Sequence, residues 1–244
     1  MSGSPWRTFF LSGVFFLSGG AALILETLLF RQAGLVLGNS VWASSLVLAS
    51  FMGGLALGNG LAALRAGSSA RPLRAYAQLE IVVALTGAGL VCLWPLLGPP
   101  LAPVFGRLLD APLALNAARL AVAFVLMMIP ASAMGATLPL LARAVRPRAG
   151  TFGRTIGWLY GVNTLGAVAG ALAAEALLVG NVGVRGAALV AAGLNLGAAL
   201  AALALAKRED EAQALRLTKP QGAIVRQVER DSPADRAGIA PEDE

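Results

Sequence analysis

Residues 19–60, GGAALILETLLFRQAGLVLGNSVWASSLVLASFMGGLALGNG, decide the fold class. They contain the end of one apolar run, a short polar corner at residues 31–40 with residues 38–40 as its turn signal, and a second apolar run. The second run carries Gly54 and Gly58, and small residues at this four-residue spacing let two helices approach closely in lipid. The stretch therefore predicts two membrane-spanning helices joined by a tight corner.

The composition extends that prediction to most of the chain. Of the 244 residues, 57% are hydrophobic and 13% are charged, and the mean hydropathy is +0.73. Soluble domains average about 25% charged residues, so this chain requires lipid as its solvent. The net charge of +6 comes mainly from arginines between apolar runs. That pattern sets membrane orientation and does not favour nucleic-acid binding.

The apolar runs predict an all-α integral membrane protein with six transmembrane helices, because about 20 apolar residues cross the hydrocarbon. Four prolines between residues 95 and 103 predict that the third helix ends near residue 97 and that a loop follows. The predicted spans are 8–30, 41–64, 75–97, 113–142, 155–179 and 184–206, within a domain at 1–206. A charged linker is predicted at 207–221, and a short soluble segment at 222–244.

The basic residues predict how the bundle is oriented. Six spans place both termini on one side of the membrane. With the N-terminus inside, about ten basic residues fall in inside segments and three, Arg31, Arg107 and Arg185, fall in outside segments. The excess of positive charge on the inner side predicts an N-in, C-in protein of a bacterial-type inner (plasma) membrane.

Catalytic chemistry has little support in the composition. The chain has no histidine, which excludes histidine-dependent triads and histidine-ligated metals. No other catalytic pattern is present, so we predict no catalytic residue, no cofactor and no metal site in this chain.

Polar residues inside apolar runs are the candidates for solute binding: Glu26, Glu175, Arg119 and Asn163. An ionisable group inside a span costs on the order of 2.5–3.5 kcal/mol and so usually has a partner or a role. Glu26 has two interpretations: a proton or cation site facing a cavity, or an ion pair with an arginine at the same level, such as Arg31. For Glu80, near the start of the third span, we expect an interfacial ion pair with Arg71 or Arg74.

Six segments occur in the order found in one known family: 18–23 with Glu26, 37–43, 49–58, 76–80, 134–141 and 159–167. Residues 19–206 thereby resemble the membrane-embedded half of fused major-facilitator/spermidine synthase-like proteins. The resemblance implies a six-helix bundle like half of a major-facilitator fold, and an association with polyamines. The soluble half of that family, an α/β aminopropyltransferase-like domain with a Gly-rich nucleotide turn, has no counterpart here.

The tail resembles the opening of a PDZ domain of the kind found in bacterial membrane-associated proteases. Residues 222–225 with Val228 match its first strand, and residues 232–239 match the short helix and turn. The resemblance implies an incomplete PDZ-like α/β segment at 222–244, because the sequence ends before the helix that would hold a peptide strand.

Three functions are compatible with these features. The first is binding or transport of a small solute, with a cation favoured by Glu26, Glu175 and the polyamine association of the family. One six-helix half needs a second half to enclose a path, which implies a homodimer or a second six-helix partner. The second is the membrane half of an aminopropyltransferase-like enzyme whose catalytic domain is absent. The third is a membrane anchor or scaffold for a PDZ-like module with a peptide or protein partner.

Overall fold

The computed structural model describes residues 5–66, 71–145 and 150–218, and these residues are almost entirely helical. The predicted tail at 222–244 lies outside them. The helices are α1 (Pro5–Leu37), α2 (Val41–Ala66), α3 (Pro72–Gly106), α4 (Pro112–Val145), α5 (Phe152–Ala173) and α6 (Val179–Thr218), with a π-helical turn at Ala174–Leu178.

Five helical segments of the described chain are long and apolar enough to cross a membrane. They are Trp6–Leu37, Val41–Leu64, Pro72–Gly106, Pro112–Val145 and the continuous stretch Phe152–Glu211. The protein is therefore a helical membrane protein, as its composition predicts.

The turn between α1 and α2 lies at residues 38–40, where the turn signal is predicted, but residues 31–37 of the predicted corner belong to α1. Gly38 has a positive φ of 99°, a conformation that glycine adopts readily at the end of a helix. The Ser40 hydroxyl accepts the Ala43 N–H at 3.1 Å and caps the start of α2. Helix α1 continues to Leu37, past residue 30 where the first span is predicted to end, and Ala33 and Leu37 bury their side chains in the core.

The prolines do not end α3, so the prediction of a break near residue 97 and a loop over 98–112 is wrong. Helix α3 continues to Gly106 with Pro95, Pro99, Pro100 and Pro103 inside it. A proline removes one helical hydrogen bond, but its fixed φ near −65° is itself helical. In an apolar medium, leaving the helix exposes more unpaired backbone groups than continuing it.

Two helix pairs are packed so closely that only glycine fits at the contacts. In the pair α2–α4, a Cβ at Gly58 would overlap the backbone of Ser132, and one at Gly135 would overlap the backbone of Leu55. In the pair α1–α5, Gly166 and Gly170 lie in the same way against the backbones of Phe16 and Gly20. Helix α3 packs against both α1 and α4 and so connects the two pairs.

The stretch after α5 contains two departures from α-helical geometry. Residues Ala174–Leu178 form the π-helical turn, an irregularity that is frequent at functional sites. Gly183, inside α6, has φ 71° and ψ 176°, which is not helical. This residue lies between the predicted fifth and sixth spans.

The chain separates into two units at Ala206/Lys207. The first unit contains the apolar bundle. Of the second, Lys207–Glu244, the structure describes helical residues up to Thr218, in the region predicted as a linker. Lys207 Nζ lies 3.7 Å from Glu211 Oε1, one turn further along this helix.

Candidate functional site in the middle of the bundle

Two clusters of buried apolar side chains fill the bundle. The corner cluster lies toward the α1–α2 corner and includes Leu28, Leu37 and Trp94. The terminal cluster lies toward the start of α1 and includes Leu11 and Leu73. Helices α1, α3, α4 and α6 contribute residues to both clusters, so each of these helices crosses from one cluster to the other.

On each of these four helices, one buried polar residue lies between the two clusters. The four residues, which we call the mid-bundle layer, are Ser18, Glu80, Thr137 and Asn195. Glu80 and Asn195 are each only 1% exposed. Polar groups that are buried at this depth are costly unless they are paired, so the layer is the strongest candidate for a site.

Glu80 is held from α1. The Ser18 hydroxyl donates a hydrogen bond of 2.6 Å to Glu80 Oε1, across 62 positions of sequence. The second carboxylate oxygen, Oε2, is sealed from solvent and makes no hydrogen bond of normal geometry with a described residue, although the Tyr76 hydroxyl interacts with the carboxylate. The carboxylate is therefore held by Ser18 and Tyr76, and no cationic side chain of the described bundle neutralises it.

Tyr76 adds a second polar group to the same face. It precedes Glu80 by one helical turn, so the two side chains are neighbours on α3. Tyr76 is completely buried, and its hydroxyl interacts with both Glu80 and Ser18. The three side chains thus form one buried polar cluster, whose oxygens can bind the same ligand.

The other two members of the layer differ in how they are satisfied. The Thr137 hydroxyl donates to the Met134 carbonyl of its own helix at 2.7 Å. Both side-chain polar atoms of Asn195, Oδ1 and Nδ2, are buried without a partner in the described part of the chain. Asn195 thus offers one acceptor and two donor hydrogens at the level of Glu80.

The expected ion pair of Glu80 with Arg71 or Arg74 is wrong. Glu80 is buried in the bundle and its hydrogen bond is to Ser18, while Arg71 is exposed at the start of α3. The physical reason is the helical register: Glu80 shares its face with the buried residues Tyr76, Ala77, Val83 and Ala84.

The structure does not join the predicted candidate Glu26 to the other three candidates. Glu26 is partly buried on α1, and among the described residues it makes neither an ion pair nor a hydrogen bond. Its register on α1 differs from that of Ser18, since Glu26 lies between the buried residues Leu25 and Leu28 at the level of the corner cluster.

Glu175 pairs with the arginine that was considered for Glu26. Arg31 Nη1 lies 3.5 Å from Glu175 Oε2, and the two side chains are 50% and 56% exposed. This ion pair ties α1 to the π-helical turn after α5. Because both groups remain in contact with the surroundings, the pair contributes little to stability.

Arg119 and Asn163, the other two predicted candidates, lie at two separate positions in the bundle. The Arg119 guanidinium lies beside Gly38, where a Cβ would be 3.3 Å from Nη2, so Arg119 is at the α1–α2 corner. Asn163 lies at the α1–α5 contact, with its backbone and side-chain oxygens against Gly19. Asn163 therefore packs against Gly19, the residue that follows Ser18 on α1.

A cavity of about 260 Å³ opens at the same corner. Its walls are Phe30, Arg31, Gly34, Leu35, Gly38, Asn39, Ser44 and Val47. No group of three or more potential metal-ligating side chains occurs in residues 5–66, 71–145 and 150–218.

Sequence reasoning missed the contact between Ser18 and Glu80. Glu80 had a visible signal, an acidic residue one turn after Tyr76 at the start of an apolar run. Ser18 had none, because a serine beside two glycines is common in membrane helices.

The chain matches no protein-family model, no curated protein and no solved structure. Its function therefore has to be argued from the site itself.

Proposed function

We propose that this protein binds a small organic cation in the middle of the membrane, and that binding is a step in transport of that solute. The observation that carries the proposal is Glu80, a carboxylate buried to 1% exposure that is held by the neutral side chains of Ser18 and Tyr76 and has no cationic partner among the described residues. A carboxylate in this setting is stabilised by a cation or a proton that neutralises its charge.

The groups around Glu80 favour an amine. Glu80 Oε2 accepts hydrogen bonds, and the Tyr76 oxygen on the same face of α3 is a further acceptor. An ammonium group has three donors and no acceptor, so acceptor oxygens of this kind suit it. The resemblance to fused spermidine synthase-like proteins points to a polyamine in particular.

The topology that we propose has six spans, resembling half of a major-facilitator bundle. In support, Gly183 interrupts helical geometry between residues 179 and 184, where one span would end and the next begin. The excess of basic residues in inner segments supports cytoplasmic N- and C-termini in a bacterial inner membrane.

Access to Glu80 requires movement, because the site is closed. We propose that the close pairs α1–α5 and α2–α4 move as units, since their glycine contacts leave little freedom within each pair. Ser18 and Glu80 lie on different helices, so such a movement changes their contact. A second copy of the bundle would supply the other wall of the path.

The test is binding of putrescine to the purified full-length protein in detergent, measured by calorimetry. We expect Glu80→Gln to weaken binding by about tenfold or more, because a charge-assisted contact contributes 1.5–3 kcal/mol. Gln retains an oxygen for the Ser18 hydroxyl, so this variant keeps the contact that holds the side chain.

Glu26→Gln is the matched control, since it also removes one carboxylate from an apolar helix. Its putrescine affinity is expected to stay within about twofold of the unmodified protein. If Glu26→Gln weakens putrescine binding and Glu80→Gln leaves it unchanged, the assignment of the site to Glu80 is refuted. Putrescine uptake into proteoliposomes then tests the transport step, and binding without uptake would refute that step.

A further inference from the structure

The α1–α2 corner has features of a second binding site, separate from Glu80. The cavity of about 260 Å³ there is lined by the side chains of Arg31, Asn39 and Ser44. Drug-sized ligands fill pockets of roughly 300–1,000 Å³, so this cavity suits a smaller group.

Two arginines give the corner a positive charge. Arg31 lines the cavity, and the Arg119 guanidinium lies against Gly38, another of its lining residues. Arg119 makes no ion pair with a described residue, and its Nε is sealed from solvent without an acceptor. Glu175 is the one acidic partner of Arg31 in the described bundle, which leaves a net charge of about +1 from these three groups.

The other hydrogen-bond donors at the corner also favour an anionic ligand. The Arg31–Glu175 contact is a single long one at 3.5 Å, and a guanidinium has five donor hydrogens. Asn39 and Ser44 are the neutral polar residues among those that line the cavity, and each has a side chain that can donate a hydrogen bond. Arginine forks match the geometry of phosphate oxygens particularly well.

We propose that this corner cavity binds a phosphate group, with Arg31 and Arg119 as its cationic ligands. Phe30 and Leu35, both exposed, border the same cavity and provide an apolar surface beside the charged groups. A lipid head group and a free phosphate both present phosphate oxygens, to which arginine guanidinium groups donate hydrogen bonds.

The experiment measures binding of two probes to the purified full-length protein in a neutral, phosphate-free detergent. One probe is inorganic phosphate and the other is dihexanoylphosphatidic acid below its micelle concentration. Saturable binding of either probe is expected. A tighter constant for the short lipid identifies a head group as the ligand, and equal constants identify free phosphate as sufficient. Failure of both probes to bind overturns the proposal.

Variants separate a built site from general attraction to positive charge. Arg119→Gln and Arg31→Gln are each expected to weaken binding by about tenfold or more. Arg107→Gln removes an exposed arginine outside the cavity and should leave the constant unchanged. Equal losses in all three variants would show non-specific electrostatic attraction and overturn the proposal.

Glu175→Gln provides a test of opposite sign. It removes the carboxylate that competes for Arg31, so phosphate binding should tighten, by up to about fivefold for an exposed pair. Weaker binding in this variant contradicts the proposed role of Arg31. Glu80→Gln should not change phosphate binding, so the corner site and the proposed cation site fail or survive independently.

Discussion

The mid-bundle layer and the α1–α2 corner each contain an acidic residue from an apolar run, but the two residues differ in burial and in pairing. In the layer, Glu80 is buried, bound to a neutral serine and without an ion pair in the described chain. At the corner, Glu175 is about half exposed and paired with Arg31. The difference indicates that Glu80 has unmet capacity for a cation, whereas Glu175 already has its counter-charge.

The largest expected effect comes from separating the helices that form the layer. Gly166 lies against the Phe16 backbone, two residues before Ser18. Gly166→Leu should lower the free energy of unfolding by about 3 kcal/mol, because backbone on both sides prevents the added side chain from being accommodated. Thermal unfolding in detergent, followed by circular dichroism, measures the change.

Gly161→Leu is the control on the same helix. Gly161 has the same motif spacing to Gly157, but no heavy atom lies near its added Cβ. Its unfolding temperature should remain that of the unmodified protein. Equal destabilisation by both substitutions would contradict the α1–α5 contact.

The next effect concerns the hydrogen bond that fixes Glu80. Ser18→Ala removes the donor to Oε1 and leaves a buried carboxylate with Tyr76 as its remaining polar neighbour in the described bundle. We expect a loss of about 2 kcal/mol in unfolding free energy, measured by the same thermal method.

Thr137→Val is the comparison for Ser18→Ala, since it deletes a hydroxyl in the same layer. The Thr137 hydroxyl bonds only its own helix, so a loss below about 1 kcal/mol is expected. If the two substitutions lower the free energy of unfolding equally, the Ser18–Glu80 hydrogen bond contributes no more than a bond within one helix.

The smallest effect is expected at the corner. Glu175→Gln breaks an ion pair between groups that are 50% and 56% exposed. Such pairs contribute little, so the free energy of unfolding should fall by at most about 0.5 kcal/mol. A loss comparable to that of Ser18→Ala would show that the corner pair holds the bundle together, which would remove the contrast between the two regions.

The glycine motifs show how far local sequence patterns lead. Several glycine pairs have the close-packing spacing, and spacing alone does not distinguish them. Gly54/Gly58 and Gly166/Gly170 lie at helix contacts, whereas Gly157/Gly161 and Gly193/Gly197 have no heavy atom near an added Cβ in the described bundle. Spacing places two small residues on one face, but it does not say which helix that face meets.

The candidate residues show the same limit. Glu26, Glu175, Arg119 and Asn163 were selected because polar groups in apolar runs are costly, and that reasoning applies equally to Glu80. Its near-complete burial and its contact with Ser18, 62 positions away, distinguish Glu80 from the others. The prolines of α3 are also evident in the sequence. Whether they end the helix depends on whether the backbone groups around them find hydrogen-bond partners outside it.

The sequence by itself determined that this is a helical membrane protein, because apolar runs of sufficient length have one stable arrangement in lipid. It also determined the tight corner at Gly38, because the backbone conformation there favours glycine. The tertiary structure decided which acidic residue is sequestered, which is paired and where a cavity remains. Those outcomes depend on the register and packing of distant helices, which no local pattern contains.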